Sequence, residues 1–165
     1  MTNMITKEEA SFYQAALKEA KKGLDEGGIP IGSVLVCDNK IVGRGHNRRV
    51  QNKSSILHGE MDAFENAGRL SAKTYERCTL YTTLSPCPMC SGTSILYKIP
   101  KIIIGENQNF MGDEALLKSK GVELIVLNDE ETIKMMSQFI AENPSLWNED
   151  IGLPGEAASE DGASD

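Results

Sequence analysis

Apolar residues recur at helical spacing from Lys7 to Glu26, at Phe12, Ala15, Ala16, Leu17, Ala20 and Leu24. Thr6 and Glu9 supply the two halves of a capping box ahead of this run, and Gly27-Gly28 closes it. Ile31 to Cys37 is a short, β-branched run that predicts a strand. Asp38-Asn39 predicts a tight turn, and Lys40 to His46 the returning strand of a hairpin. His58 to Leu70 predicts a helix with Met61, Phe64 and Ala67 on one face. Further strands are expected at Thr79 to Thr83, Lys101 to Gly105 and Val122 to Leu127. Further helices are expected from Pro86 to about Tyr97, from Asp113 to Lys120 and from Glu130 to Glu142.

A hairpin followed by alternating helices and strands implies one sheet covered on both faces. The expected fold is α/β, a three-layer α-β-α sandwich around a five-stranded mixed, mostly parallel sheet. The last two strands should be parallel, because a helix joins them. Active sites in such sheets lie beyond the carboxyl ends of strands, where helices begin. After Ile151 the sequence turns small, polar and acidic. It divides into one folded domain, residues 1–152, and an expected disordered tail, 153–165.

Composition narrows the function. The 165 residues carry a formal net charge of −7 and no Lys/Arg cluster beyond pairs such as Lys21-Lys22 and Arg48-Arg49. Those pairs read as surface solvation. The balance argues against nucleic acid, which needs cations to displace phosphate counterions, and for a small or neutral ligand. No apolar run is long enough for a membrane span. The opening MTNMITKEEASFYQ lacks the basic start and apolar stretch of a secretory leader, so the expected location is cytoplasmic. Four cysteines then read as thiols or metal ligands.

Two predicted helix starts carry chemistry. One holds His58-Gly59-Glu60 and the other Pro86-Cys87-Pro88-Met89-Cys90. Cys87 and Cys90, three apart, place both sulfurs on one helix face, where the helix dipole favours thiolates. His58 can add a third ligand. Three protein ligands leave a tetrahedral zinc one open position for water, the count of a catalytic site. Glu60 lies about 200° around the helix from His58. It need not be a ligand, and can move the water's proton. A redox C-x-x-C would not need His58 and Glu60. A structural zinc site with His46 as fourth ligand would leave Glu60 without a role. Cys37 and Cys78 read as buried thiols.

The order H-x-E then P-C-x-x-C resembles the signature of zinc nucleobase deaminases. More of the chain, from about Ala15 to Gly152, resembles the fungal-type cytosine deaminases of the cytidine deaminase-like superfamily. The likeness rests on GGIPIG, GRGHN, LHGEMDAFENAGRL, TLYTTLSPCPMC, GENQNF and WNEDIG. It implies a homodimer with one zinc per chain that converts free cytosine to uracil and ammonia in pyrimidine salvage. It further implies that Asn47 reads the N1–H and O2 edge, helped by the Gly59 N–H. Asp150 and the Ser85 carbonyl would accept from the 4-amino group. Phe110 and Trp147 would sandwich the ring, and Ile29 and Leu84 would complete the wall. The alternatives are a related deaminase acting on guanine or cytidine, and a non-catalytic zinc-stabilised domain.

Overall fold

The computed structural model describes residues 4–154. Its helices are α1 (Lys7–Asp25), α2 (Arg49–Asn52), α3 (Gly59–Ala67), α4 (Ala72–Tyr75), α5 (Pro88–Leu96), α6 (Glu114–Ser119), α7 (Glu130–Glu142) and α8 (Pro144–Asp150). Its strands are β1 (Gly32–Cys37), β2 (Lys40–His46), β3 (Cys78–Leu84), β4 (Lys101–Glu106) and β5 (Glu123–Val126). The Thr6–Glu9 capping box opens α1 as expected. Asp38 and Asn39 both take the left-handed conformation that a two-residue hairpin turn requires.

The sheet order is β2-β1-β3-β4-β5. β3, β4 and β5 are parallel, whereas β1 runs antiparallel to both β2 and β3. Four strands therefore point one way, and β1, reversed by the hairpin, is the exception. Strand alternation splits the core. Val34, Val36, Tyr81 and Ile103 meet Tyr13 and Ala16 of α1 on one face. Leu35, Leu80, Ile102 and Ile104 meet Phe64 of α3 and Leu117 of α6 on the other.

The hydrophobic pattern misses α2, α4 and α8, which are too short to show a helical period. It also opens α5 at the wrong proline. Cys87 caps the helix and Pro88 takes the first-turn position, so Pro86 belongs to the loop before it. Of the expected tail, Leu153 and Pro154 are described and exposed, and 155–165 lie outside the described residues.

Two strand glycines let α3 approach β2 and so position its first turn. A Cβ at Gly43 would lie 2.2 Å from the Ala63 carbonyl oxygen, and one at Gly45 would lie 2.3 Å from the Ala63 nitrogen. Backbone, not a movable side chain, blocks both. Overpacking costs typically about 1–3 kcal/mol, and an immovable obstacle puts Gly45→Ala at the upper end. For a chain of this size that lowers the melting temperature by about 6–12 °C, measurable by calorimetry. A shift under about 2 °C would show that α3 can retreat at little cost.

Candidate active site

The carboxyl end of β3 delivers Leu84 and Ser85 to one spot, and the N-termini of α3 and α5 converge on it. His58 is the N-cap of α3 and Cys87 the N-cap of α5. His58 Nδ1 stands 3.3 Å from Cys87 Sγ and 3.8 Å from Cys90 Sγ. Among the described residues, these three form the only such group whose ligand atoms all lie within 4.8 Å of one another.

The donor set suits zinc. Hydrogen bonding with Cys90, outweighing burial and aided by His58, pulls the Cys87 thiol down to about 4. Burial opposes charge on His58, yet contacts with Asp150 and Cys87 lift it to about 10. Two sulfurs and an imidazole nitrogen are the ligand types that zinc prefers, and metal binding releases the protons they otherwise carry. His58 Nε2 faces the Asp150 carbonyl oxygen at 3.2 Å, which fixes the ring with Nδ1 toward the thiols. His46 does not join them. It is fully buried, with Nδ1 2.8 Å from Glu19 and Nε2 2.6 Å from Glu26, which removes it as a fourth ligand.

Glu60, only 3% exposed, is held by hydrogen bonds from Thr82 Oγ1 at 3.1 Å and Ser33 Oγ at 3.5 Å. Burial, with the charge on Cys87 added, pushes its carboxyl above the ordinary value.

The triad opens into a cavity with about 280 Å³ of unfilled space, counting its mouth. Ile31, His58, Glu60, Leu84, Ser85, Cys87, Phe110, Trp147, Asp150 and Ile151 line it. Ile29 is a correction. It is fully buried in the core cluster that backs this wall, and Ile31 is the isoleucine that lines the cavity. The expected aromatic sandwich is another. Phe110 and Trp147 meet edge to face, with centroids 6.1 Å apart and planes at 84°, the geometry that ring quadrupoles favour. A flat ligand can stack on one of them, not between both.

Asn47 is fully buried behind the cavity. Its Nδ2 donates to both Asp150 oxygens, at 3.2 and 3.1 Å, and its Oδ1 accepts from Arg49 N at 3.0 Å. The amide therefore caps a turn as well as facing Asp150. Gly59 is the first residue of α3, where backbone N–H groups have no intrahelical partner. Ser85 Oγ donates to Glu114 at 2.7 Å and accepts from Gly112 N at 3.0 Å, which ties the Phe110 loop to the site.

Two residues were misread from sequence. Arg48 and Arg49 are not a solvated pair. Arg48 pairs with buried Asp62 at 2.9 Å, and Arg49 grips Glu149 and Asp150 on α8. α8 itself carries a start signal, Asn143 followed by Pro144 at the first helical turn.

The family model for the cytidine and deoxycytidylate deaminase zinc-binding region matches residues 6–106. The chain belongs to this family of zinc deaminases. Within it, a cytosine deaminase of Candida albicans is 54% identical over 149 residues, 90% of this chain and 99% of that protein. A tRNA-specific adenosine deaminase of Streptococcus pyogenes is 44% identical over 111 residues, 66% of this chain and 70% of that one. A guanine deaminase of Nitrosomonas europaea superposes with a TM-score of 0.65 at 16% identity, covering 84% of this chain and 86% of that chain. A structure from a study of A-to-I editing by tRNA deaminases gives 0.64 at 23% identity, covering 76% and 99%. The two superpositions establish the shared fold.

Family membership makes zinc the metal of the triad. Purified protein should hold one zinc per chain by elemental analysis, and Cys90→Ser should lower both content and turnover. A Cys90→Ser protein with full zinc and full turnover would show that the triad is not the metal site.

Proposed function

We propose that this protein hydrolyses free cytosine to uracil and ammonia. The observation that carries the choice of substrate is the small cavity over the triad, with Trp147 and Asp150 of α8 in its lining. The Candida albicans cytosine deaminase, similar over nearly its whole length, supports the same substrate.

The residues divide the work as follows. His58, Cys87 and Cys90 would hold the zinc, which when bound would supply Lewis-acid activation of the attacking water. Glu60 takes a proton from that water and gives it to N3, which makes C4 electrophilic. The water oxygen bonds to C4; Glu60 then takes the remaining proton from that new C4 hydroxyl and gives it to the 4-amino group, the C–N bond breaks, ammonia leaves, and C4=O remains in uracil. Asp150 and the Ser85 carbonyl accept from the amino group, while Asn47 and the Gly59 N–H read the N1–H and O2 edge. Leu84, Ile31 and Phe110 wall the ring, Ile29 supports them from behind, and Trp147 excludes water.

The reading extends to a cytoplasmic homodimer in pyrimidine salvage. Cys37 and Cys78, outside the triad, are unbridged thiols, which accords with a reducing compartment. Leu96 and Tyr97, exposed at the end of α5, offer an apolar patch for a second copy. The net charge of −7 disfavours an RNA substrate. Incubation with cytosine should yield one ammonia per uracil, followed by absorbance and an ammonia assay. Ammonia from guanine and none from cytosine would move the protein to a purine substrate.

A further inference from the structure

Arg49 stands outside the cavity lining, yet it is tied to the residues that matter there. Its guanidinium forks onto Glu149, with Nη1 and Nη2 each 2.7 Å from a carboxylate oxygen, and Nη1 also reaches Asp150 Oδ1 at 3.1 Å. Its Nε donates to the Ser55 carbonyl at 3.0 Å, and its backbone N–H to Asn47 Oδ1 at 3.0 Å. Glu149 is 57% exposed at its side chain, so the fork spans from solvent to a carboxylate that is only 2% exposed.

The bonds on Asp150 are unequal. Oδ1 receives two donors, Arg49 Nη1 and Asn47 Nδ2 at 3.2 Å, while His58 Nε2, whose bond goes to the Asp150 carbonyl, stands 3.5 Å away. Oδ2 receives Asn47 Nδ2 at 3.1 Å and neither Arg49 nor His58. A carboxylate oxygen has room for two donors. Oδ1 is therefore saturated, and Oδ2 keeps acceptor capacity for an incoming N–H.

We propose that Arg49 is a positioning residue for the deamination. By holding Glu149 and saturating Asp150 Oδ1, it aims Oδ2 at the substrate's 4-amino group. This rests on the cytosine reading above and goes beyond it by naming what sets the amino-group acceptor. Only an arginine fits the place, because two carboxylates of adjacent residues need a planar fork, whereas lysine offers a single point charge.

The test compares cytosine with uracil, which carries oxygen in place of the amino group and gains nothing from Asp150. Arg49→Gln should raise the cytosine KM, or lower kcat/KM, by about 10- to 100-fold, the scale of a lost charged hydrogen bond. The inhibition constant of uracil should change by less than about threefold, on the same scale. Zinc content should not change. Arg49→Lys should recover part of the loss. Glu149→Gln, at an exposed position, should move cytosine binding the same way by less, and serves if Arg49→Gln fails to fold. In an Asp150→Asn background, Arg49→Gln should cost little more, because the two act as one unit. Equal weakening of cytosine and uracil would mean that Arg49 merely holds α8 down, and would overturn the proposal. Additive losses with Asp150→Asn would overturn it too. A wild-type protein releasing no ammonia from cytosine would remove the substrate reading first, before any variant is made.

Discussion

Glu60→Gln should lower cytosine turnover by about 10⁴-fold or more while leaving zinc content and melting temperature near wild type. Glutamine keeps the shape and can still accept from Thr82 and Ser33, the two donors that hold the side chain now. It cannot take or release a proton. General acid–base catalysis is typically worth about 10²–10⁴-fold. Glu60 is asked to act on water, on N3 and on the departing amino group, so the upper end applies. Its carboxyl is buried and gripped by Thr82 and Ser33, which holds it in place for that exchange. Single-turnover measurements with zinc determined on the same sample check the prediction. A glutamine variant retaining a tenth of wild-type turnover would show that another group moves the protons.

Cytosine should be preferred over cytidine by about 10⁴-fold in kcat/KM, the scale on which a site built for a substrate N–H rejects an analogue lacking it. Both ligands present the same C4 amino group to the triad, so the metal chemistry does not separate them. They differ at N1. In cytidine the ribose replaces the hydrogen that Asn47 is assigned to read. It must also fit where Trp147 and Ile151, both lining the cavity, close the site. A buried polar group left without its partner costs about 1–3 kcal/mol, and the collision with α8 adds to that. Asn47→Ala should depress cytosine turnover without admitting cytidine, because α8 still excludes the sugar. Comparable specificity constants for base and nucleoside would place the protein with the nucleoside deaminases.

The catalytic centre was legible in sequence because its chemistry is local. Cys87 and Cys90 need only one helical turn to share a face, and His58 and Glu60 need only a helix start. The five strands were legible because each is β-branched and bounded by turn signals. The roof of the cavity was not. α8 spans seven residues, too few for periodicity, and only Asn143-Pro144 marked its start. Arg49 was unreadable for a different reason. Its partners lie about a hundred positions away, so a pair of arginines in a polar stretch looked like solvated surface. The crossed rings of Phe110 and Trp147 arise where the loop after β4 meets α8, a tertiary contact that no spacing encodes. Ile29 and Ile31 flank one proline, and Ile31 N–H folds back onto the Ile29 carbonyl at 2.8 Å, a local turn that composition leaves open.

The zinc triad, Glu60 and the small cavity under α8 make this protein a deaminase for free cytosine. The most direct test gives the zinc-loaded protein an equimolar mixture of cytosine, cytidine and guanine and follows all three by chromatography. Cytosine should be consumed, with uracil and ammonia formed one for one, while cytidine and guanine persist after its conversion is complete. Consumption of guanine or cytidine at a rate comparable to cytosine would contradict the account.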